Sequence, residues 1–216
     1  MNISIKLLEN DTQIRKKILD QIVIVLNKAI NRSIPKIVME IKDLVRSSLK
    51  QEPEYQSLIS GQLRAEMGIE FVENVDVVID ALVETLALEK TPLAVGRYGI
   101  KGGFSLTMMQ SDNLGGVVDI DAAYVVDNAR GYDLPWLRWL LLEGKRVIIK
   151  GYSVQMRPSP YSRSGMALMI ESKKNWRVPP EFSGSQRNNW TTRAISRISD
   201  KNIIRIIETN VQAAIT

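Results

Sequence analysis

Asp119 and Asp121, two apart in the run VVDIDAAYVV at 117–126, come nearest in this chain to a pair that could do metal chemistry. On a strand, alternation puts both carboxylates on one face, with Val118, Ile120 and Ala122 on the other. Joined by Glu143 or Glu171, they would make a magnesium site for phosphodiester hydrolysis. The competing reading is ordinary alternation of charge on a half-exposed strand, and no metal-site motif accompanies the pair. The glycine-rich GRYGIKGG at 96–103, with Arg97 and Lys101, raises the same question for phosphate. It fits neither the P-loop spacing nor G-x-G-x-x-G, and reads as a loop or bulge leading into a strand.

Other chemistry is narrowed by what is missing. With 0 His and 0 Cys, the chain has no disulfide, thiolate zinc site or cysteine nucleophile, and lacks the commonest general base. Carboxylate, Ser and Lys chemistry stays open. Charge is uneven: the total is +5, and residues 145–197 carry 11 Lys and Arg against two acids, Glu171 and Glu181. Such a regional excess suits an acidic partner or nucleic acid. Tyr152, Tyr161 and Trp176 lie in the same stretch, as base stacking would require. Against stacking, Pro158, Pro160, Pro179 and Pro180 imply rigid extended loops rather than an open strand face.

The elements that must position these residues follow from periodicity. Ile14, Ile18, Ile22, Leu26 and Ile30 run at i, i+4 after Asp11 or Thr12 as N-cap, and predict a long amphipathic helix. A second stripe, Ile34, Ile37, Ile41, Val45 and Leu49, follows Pro35, where the helix either restarts from Ser33 or continues with a kink. Helical spacing returns at Tyr55–Leu63, up to Gly68, and at Val75–Val83, ended by EKTPL. The period then changes: GFSLTMM at 103–109 and VVDIDAAYVV are expected to pair as a hairpin across QSDNLGG. DLPWLRWLLLEG predicts a compact helix with Asp133 as N-cap and Gly144 as its stop, placing Trp136 and Trp139 in the core against the sheet. Strands are expected at 147–156 and 166–170, and a closing helix or helix pair from Asn188 or Asn189. The expected fold is α+β: a small, mainly antiparallel sheet packed by a short helix, with long N-terminal helices and a C-terminal helix. One domain spans 1–216, with a helical region at 1–90 and a sheet-containing core at 91–216. No apolar run approaches the roughly 20 residues of a membrane span. Lys6, Glu9 and Asp11 precede any apolar run, unlike a secretory signal.

The phrase LPWLRWLLLEGKRVIIKGYSV, the strand GMALMI, and WRVPPEFSGSQRNNWTTRAI running into a terminal helix resemble the neck and tail-completion structural proteins of contractile-tailed phages. The likeness is densest over 131–198. It implies a non-catalytic subunit without a cofactor, in a homo-oligomeric ring of six or twelve copies around the DNA channel. It further implies docking to a portal or connector adaptor and to a tail terminator or tail tube protein, with genomic DNA passing through. The chain would be made in the host cytoplasm and reside in the virion. Interface residues expected on this basis are Trp136, Trp139, Arg157, Tyr161, Arg163, Trp176, Arg177, Phe182, Arg187 and Trp190. Trp176 and Trp190 would anchor the ends of the Pro-Pro segment, one or both against a neighbouring subunit, or both within their own. A tail terminator, a sequence-independent nucleic-acid-binding protein and the magnesium nuclease are the alternatives.

Overall fold

The i, i+4 stripes of the first 51 residues condense into one helix. In the computed structural model, which describes residues 10–108, 116–126 and 133–215, α1 spans Asp11–Gln51 with Pro35 inside it. Proline cannot donate to the carbonyl four residues back, a cost of roughly 3 kcal/mol in a helix interior. The helix continues nonetheless, because Ile30, Ile37, Ile41, Val45 and Leu49 are all buried along one side. Ser33 does not restart it; its hydroxyl donates to the Ile30 carbonyl.

After α1 come α2 (Pro53–Ser60), α3 (Gln62–Met67) and α4 (Glu73–Glu84). Pro53 opens α2, where its missing N–H costs nothing. Gly68 closes α3 in the left-handed region at φ 68°, the conformation glycine adopts without a Cβ clash. The Arg64 guanidinium donates to the carbonyl of Ile59, a helix-end acceptor of α2, and to those of Ile69 and Glu70 in the link to α4.

Two antiparallel hairpins follow, each its own two-stranded sheet. β1 (Ala87–Gly96) pairs with β2 (Gly99–Thr107) around the Gly96–Gly99 turn. β3 (Ile149–Met156) pairs with β4 (Ala167–Trp176). Between them, α5 (Trp136–Arg138) runs into a π-helical turn, Trp139–Glu143. The chain closes with α6 (Trp190–Ser196) and α7 (Asp200–Ile215). The architecture is α+β.

Several sequence expectations are corrected. The partner of β2 is β1, not the run at 117–126, which forms a helical turn at 116–118 and a 3-10 turn at Asp121–Ala123. EKTPL lies within β1, and Pro92 is accommodated at the irregularity between Thr91 and Ala94. The connection QSDNLGG lies mostly outside the described residues. Asp133 does not cap α5, whose N-cap is Pro135 with no side-chain bond. The helical turn does end at Glu143 with Gly144 next, as expected, but Gly144 is right-handed at φ −57°; a Cβ there would come within 2.8 Å of the Gly184 nitrogen and Ser183 Cα, so close packing, not a left-handed cap, calls for glycine.

The chain divides into two compact units, and one of their boundaries, between Leu86 and Ala87, falls where helices give way to strands. One comprises Met1–Ile41, Ala87–Thr107 and Asp200–Thr216; the other comprises Lys42–Leu86 and Met108–Ser199. In the first, the Asn27 side-chain amide bonds both N–H and C=O of Leu93 in β1, and Asn210 of α7 donates to Glu40 of α1. The second holds most of the buried side chains, including Leu58, Leu63, Val78, Ile79, Leu82, Trp136, Leu140 and Trp190.

Candidate functional site

The segment 176–190 is a strap across the second unit, held at both ends by indole groups. Trp176, at the end of β4, donates Nε1–H to Glu66 Oε2 at 2.8 Å and meets Trp139 edge-on, ring centroids 5.7 Å apart. Trp190 is fully buried, and its Nε1–H donates to the Leu49 carbonyl at 3.1 Å. That carbonyl belongs to the last turn of α1 and otherwise receives only a long bond from the Glu52 N–H at 3.4 Å, because Pro53, four residues on, has no N–H. Between the anchors, Gly184 N–H bonds the Leu140 carbonyl at 3.1 Å, and a Cβ on Gly184 would sit 2.5 Å from that oxygen. Ser185 and Asn188 exchange backbone bonds across the strap's tip. Asn189 then caps α6 in a reciprocal capping box with Thr192.

The expected interface residues therefore separate. Trp136 and Trp190 are fully buried within the chain, which removes them as anchors for a neighbour, and Trp176 is buried but for the edge of the cavity below; Trp136 donates Nε1–H to the Ala122 carbonyl. Arg177 and Arg187 are exposed and Phe182 half-buried, and none of the three lines a cavity described below. Trp139, Tyr161, Arg163 and Trp176 are brought together around one cavity of about 560 Å³. Arg157 lines a second, of about 660 Å³.

Both cavities lie between α3 and the β3–β4 hairpin, and both have Ala65 and Glu66 in their walls. Four of the chain's 8 methionines line them: Met67 and Met169 in one, Met156 and Met166 in the other. Sequence reasoning missed these; the signal was the methionine density of VQM and GMALMI. The cationic side chains are Lys150 and Arg163 in the first cavity and Arg157 in the second. The carboxylate there, Glu66, accepts from Trp176 on one oxygen and from Gln62 on the other. An apolar, deformable floor with a basic rim is complementary to apolar side chains flanked by acids.

The carboxylate pair proposed for magnesium does not form a site. Asp119 pairs with Arg138 at 2.8 Å and accepts from Tyr124, while Asp121 opens the 3-10 turn, so the two do not share a strand face. That pairing raises the Arg138 pKa, chiefly through the hydrogen bond to Asp119. Glu143 lies 4.0 Å from Arg146, and Glu171 accepts from the Tyr152 hydroxyl. Among the described residues no three acidic side chains gather as metal ligands do. GRYGIKGG is the β1–β2 turn and the start of β2, with the Arg97 guanidinium over the Tyr98 ring. Among the described residues no helix is long and apolar enough to cross a membrane. Comparison with known proteins finds no matching family model, curated relative or solved structure.

Proposed function

We propose that this chain is a non-catalytic structural subunit that works by self-assembly, as a neck or tail-completion protein at the head-to-tail junction of a contractile-tailed phage. The observation that carries the assembly reading is the uncovered start of α1. From Ala29 onward its apolar stripe is buried; before Ala29 none of its residues is. Ile18 is 55% exposed and Val25 51% exposed, and Ile14, Ile22 and Leu26 continue the same side. Completing the burial of each is worth on the order of 1 kcal/mol, a sum that a neighbouring copy would supply.

The resemblance in 131–198 supplies the rest of the reading: a ring around the DNA channel, docked to a connector on one face and to tail components on the other. A tail terminator would use the same assembly with a different neighbour. The regional basic charge serves protein contacts in this reading, since many phosphate contacts would retard DNA passage.

Native mass spectrometry over a concentration series, with negative-stain imaging, tests the reading. The expected result is a closed ring, alone or on adding purified connector or tail components, and its loss in Ile18→Glu/Ile22→Glu. A chain that stays monomeric with all of these present overturns it.

A further inference from the structure

The two cavities flanking α3 form a cationic, methionine-lined groove in a chain whose charge is segregated. Residues 65–89 contain seven acidic side chains and no Lys or Arg, whereas 145–197 are strongly basic. Much of the acidic stretch is α4. Its inner side is buried through Val75, Val78, Ile79, Leu82 and Val83. Its outer side, by helical spacing, carries Glu73, Val77 and Ala81, and Phe71 precedes it, 61% exposed. Asp76, Asp80 and Glu84 are paired with Lys50, Arg46 and Lys42 of α1. Glu70 and Glu73 lie outside that ladder, next to the exposed Phe71 and Val77.

We propose that the α3–hairpin groove of one copy docks the Glu70–Val77 edge of α4 from the next. Phe71 and Val77 enter the methionine-lined floor, while Glu70 and Glu73 face Lys150 and Arg157. Phe71 and Val77 line neither cavity, so groove and edge are different surfaces of one unit. Repeated head to tail, such a contact generates a ring where the rotation between copies closes and a filament where it does not. Long unbranched methionine side chains adapt to such a guest. Nucleic acid fits the groove less well: Trp176 is buried, its indole N–H is bonded to Glu66 and its ring packs against Trp139, so it presents no open platform for a base.

This inference rests on the self-assembly reading, and sedimentation velocity over a concentration series separates the two. Lys150→Glu/Arg157→Glu and, separately, Glu70→Lys/Glu73→Lys are each expected to weaken self-association at least tenfold. All four changes in one chain are expected to recover it to within about threefold, because every contact then regains opposite charges. These side chains are exposed, so the fold should hold; Val77→Asp is an apolar counterpart, expected to weaken association without repair by any charge change. Self-association that survives both charge reversals but is lost in Ile18→Glu/Ile22→Glu overturns the groove contact and leaves assembly through α1 standing. Weakening by the groove reversal alone, or a four-change chain no stronger than either parent, also overturns it.

Discussion

Arg193 and Arg197 each reach a carboxylate that has almost no access to water. The Glu54 side chain is 1% exposed and pairs with Arg193; the Glu52 side chain is 2% exposed and pairs with Arg197 at 2.6 Å. In both, Oε2 is buried without a hydrogen-bond partner, so the charge depends on its single arginine. Removing one partner of a buried pair leaves an uncompensated ion, at roughly 3–5 kcal/mol when the pair is dry. Arg193 is 30% exposed and Arg197 62% exposed, so water replaces Arg197 more readily. Arg193→Ala should therefore lower stability by about 2–4 kcal/mol and Arg197→Ala by about 1 kcal/mol or less. Urea midpoints read this directly, and adding Glu54→Gln to Arg193→Ala should restore part of the loss. Equal costs would mean that Glu54 does not depend on Arg193. None of this was readable from the glutamates flanking Pro53, because nothing local says that a charged helix start will be covered.

At the scale of elements, the end of α1 and α4 are joined by a ladder with four-residue spacing on both sides: Lys42, Arg46 and Lys50 against Glu84, Asp80 and Asp76. Spacing of four keeps each set on one helix face, and the reversed order makes the helices antiparallel. Burial alone would raise the Asp76 pKa, but the bonds from Lys50 and Tyr55 outweigh it and hold it below the ordinary carboxylate value. A depressed folded-state pKa adds stability that is fully present above the unfolded value, near 4, and lost as pH falls through the folded one. Acid titration of the unfolding midpoint should therefore show a shallower decline below about pH 4 for Asp76→Asn than for the unaltered chain. Parallel acid limbs would contradict that assignment. β4 continues to Trp176, past the expected 166–170, but strand runs at β3 and the start of β4, and a cap at Asn188 or Asn189, were legible in sequence because they are local patterns. The β1–β2 hairpin was not: Pro92 argues against a strand, and its tolerance depends on an irregular register and on Asn27, more than 60 residues away.

For the molecule as a whole, burial is unevenly distributed along one helix. Residues 42–51 of α1 lie in the unit that holds most of the core, while 11–28 contain no buried residue. Backbone amides that open without exposing buried surface exchange quickly. Hydrogen exchange at low protein concentration should thus protect 42–51 far more than 11–28, and raising the concentration into the assembled range should raise protection at 11–28. Uniform protection along α1 at every concentration would remove the argument for its unfinished face. That face was visible in sequence as an i, i+4 stripe, but its lack of cover was not, since a stripe records only that something apolar is wanted.

The sequence by itself determined what depends on near neighbours along the chain: the helical stripes, the Gly68 stop, a cap at Asn188 or Asn189, the strand runs of β3 and the start of β4, and the exclusion of histidine and cysteine chemistry. These are set by periodicity and side-chain type within a few residues. Only the tertiary structure decided which surfaces exist. It turned Trp136, Trp176 and Trp190 inward, because each indole N–H found an acceptor in Ala122, Glu66 or Leu49. It tied Asp119 to Arg138, paired β2 with β1, and gathered four scattered methionines beside three cations. Each of these contacts joins residues well apart along the chain or chooses among equivalent partners, and no local pattern encodes that choice.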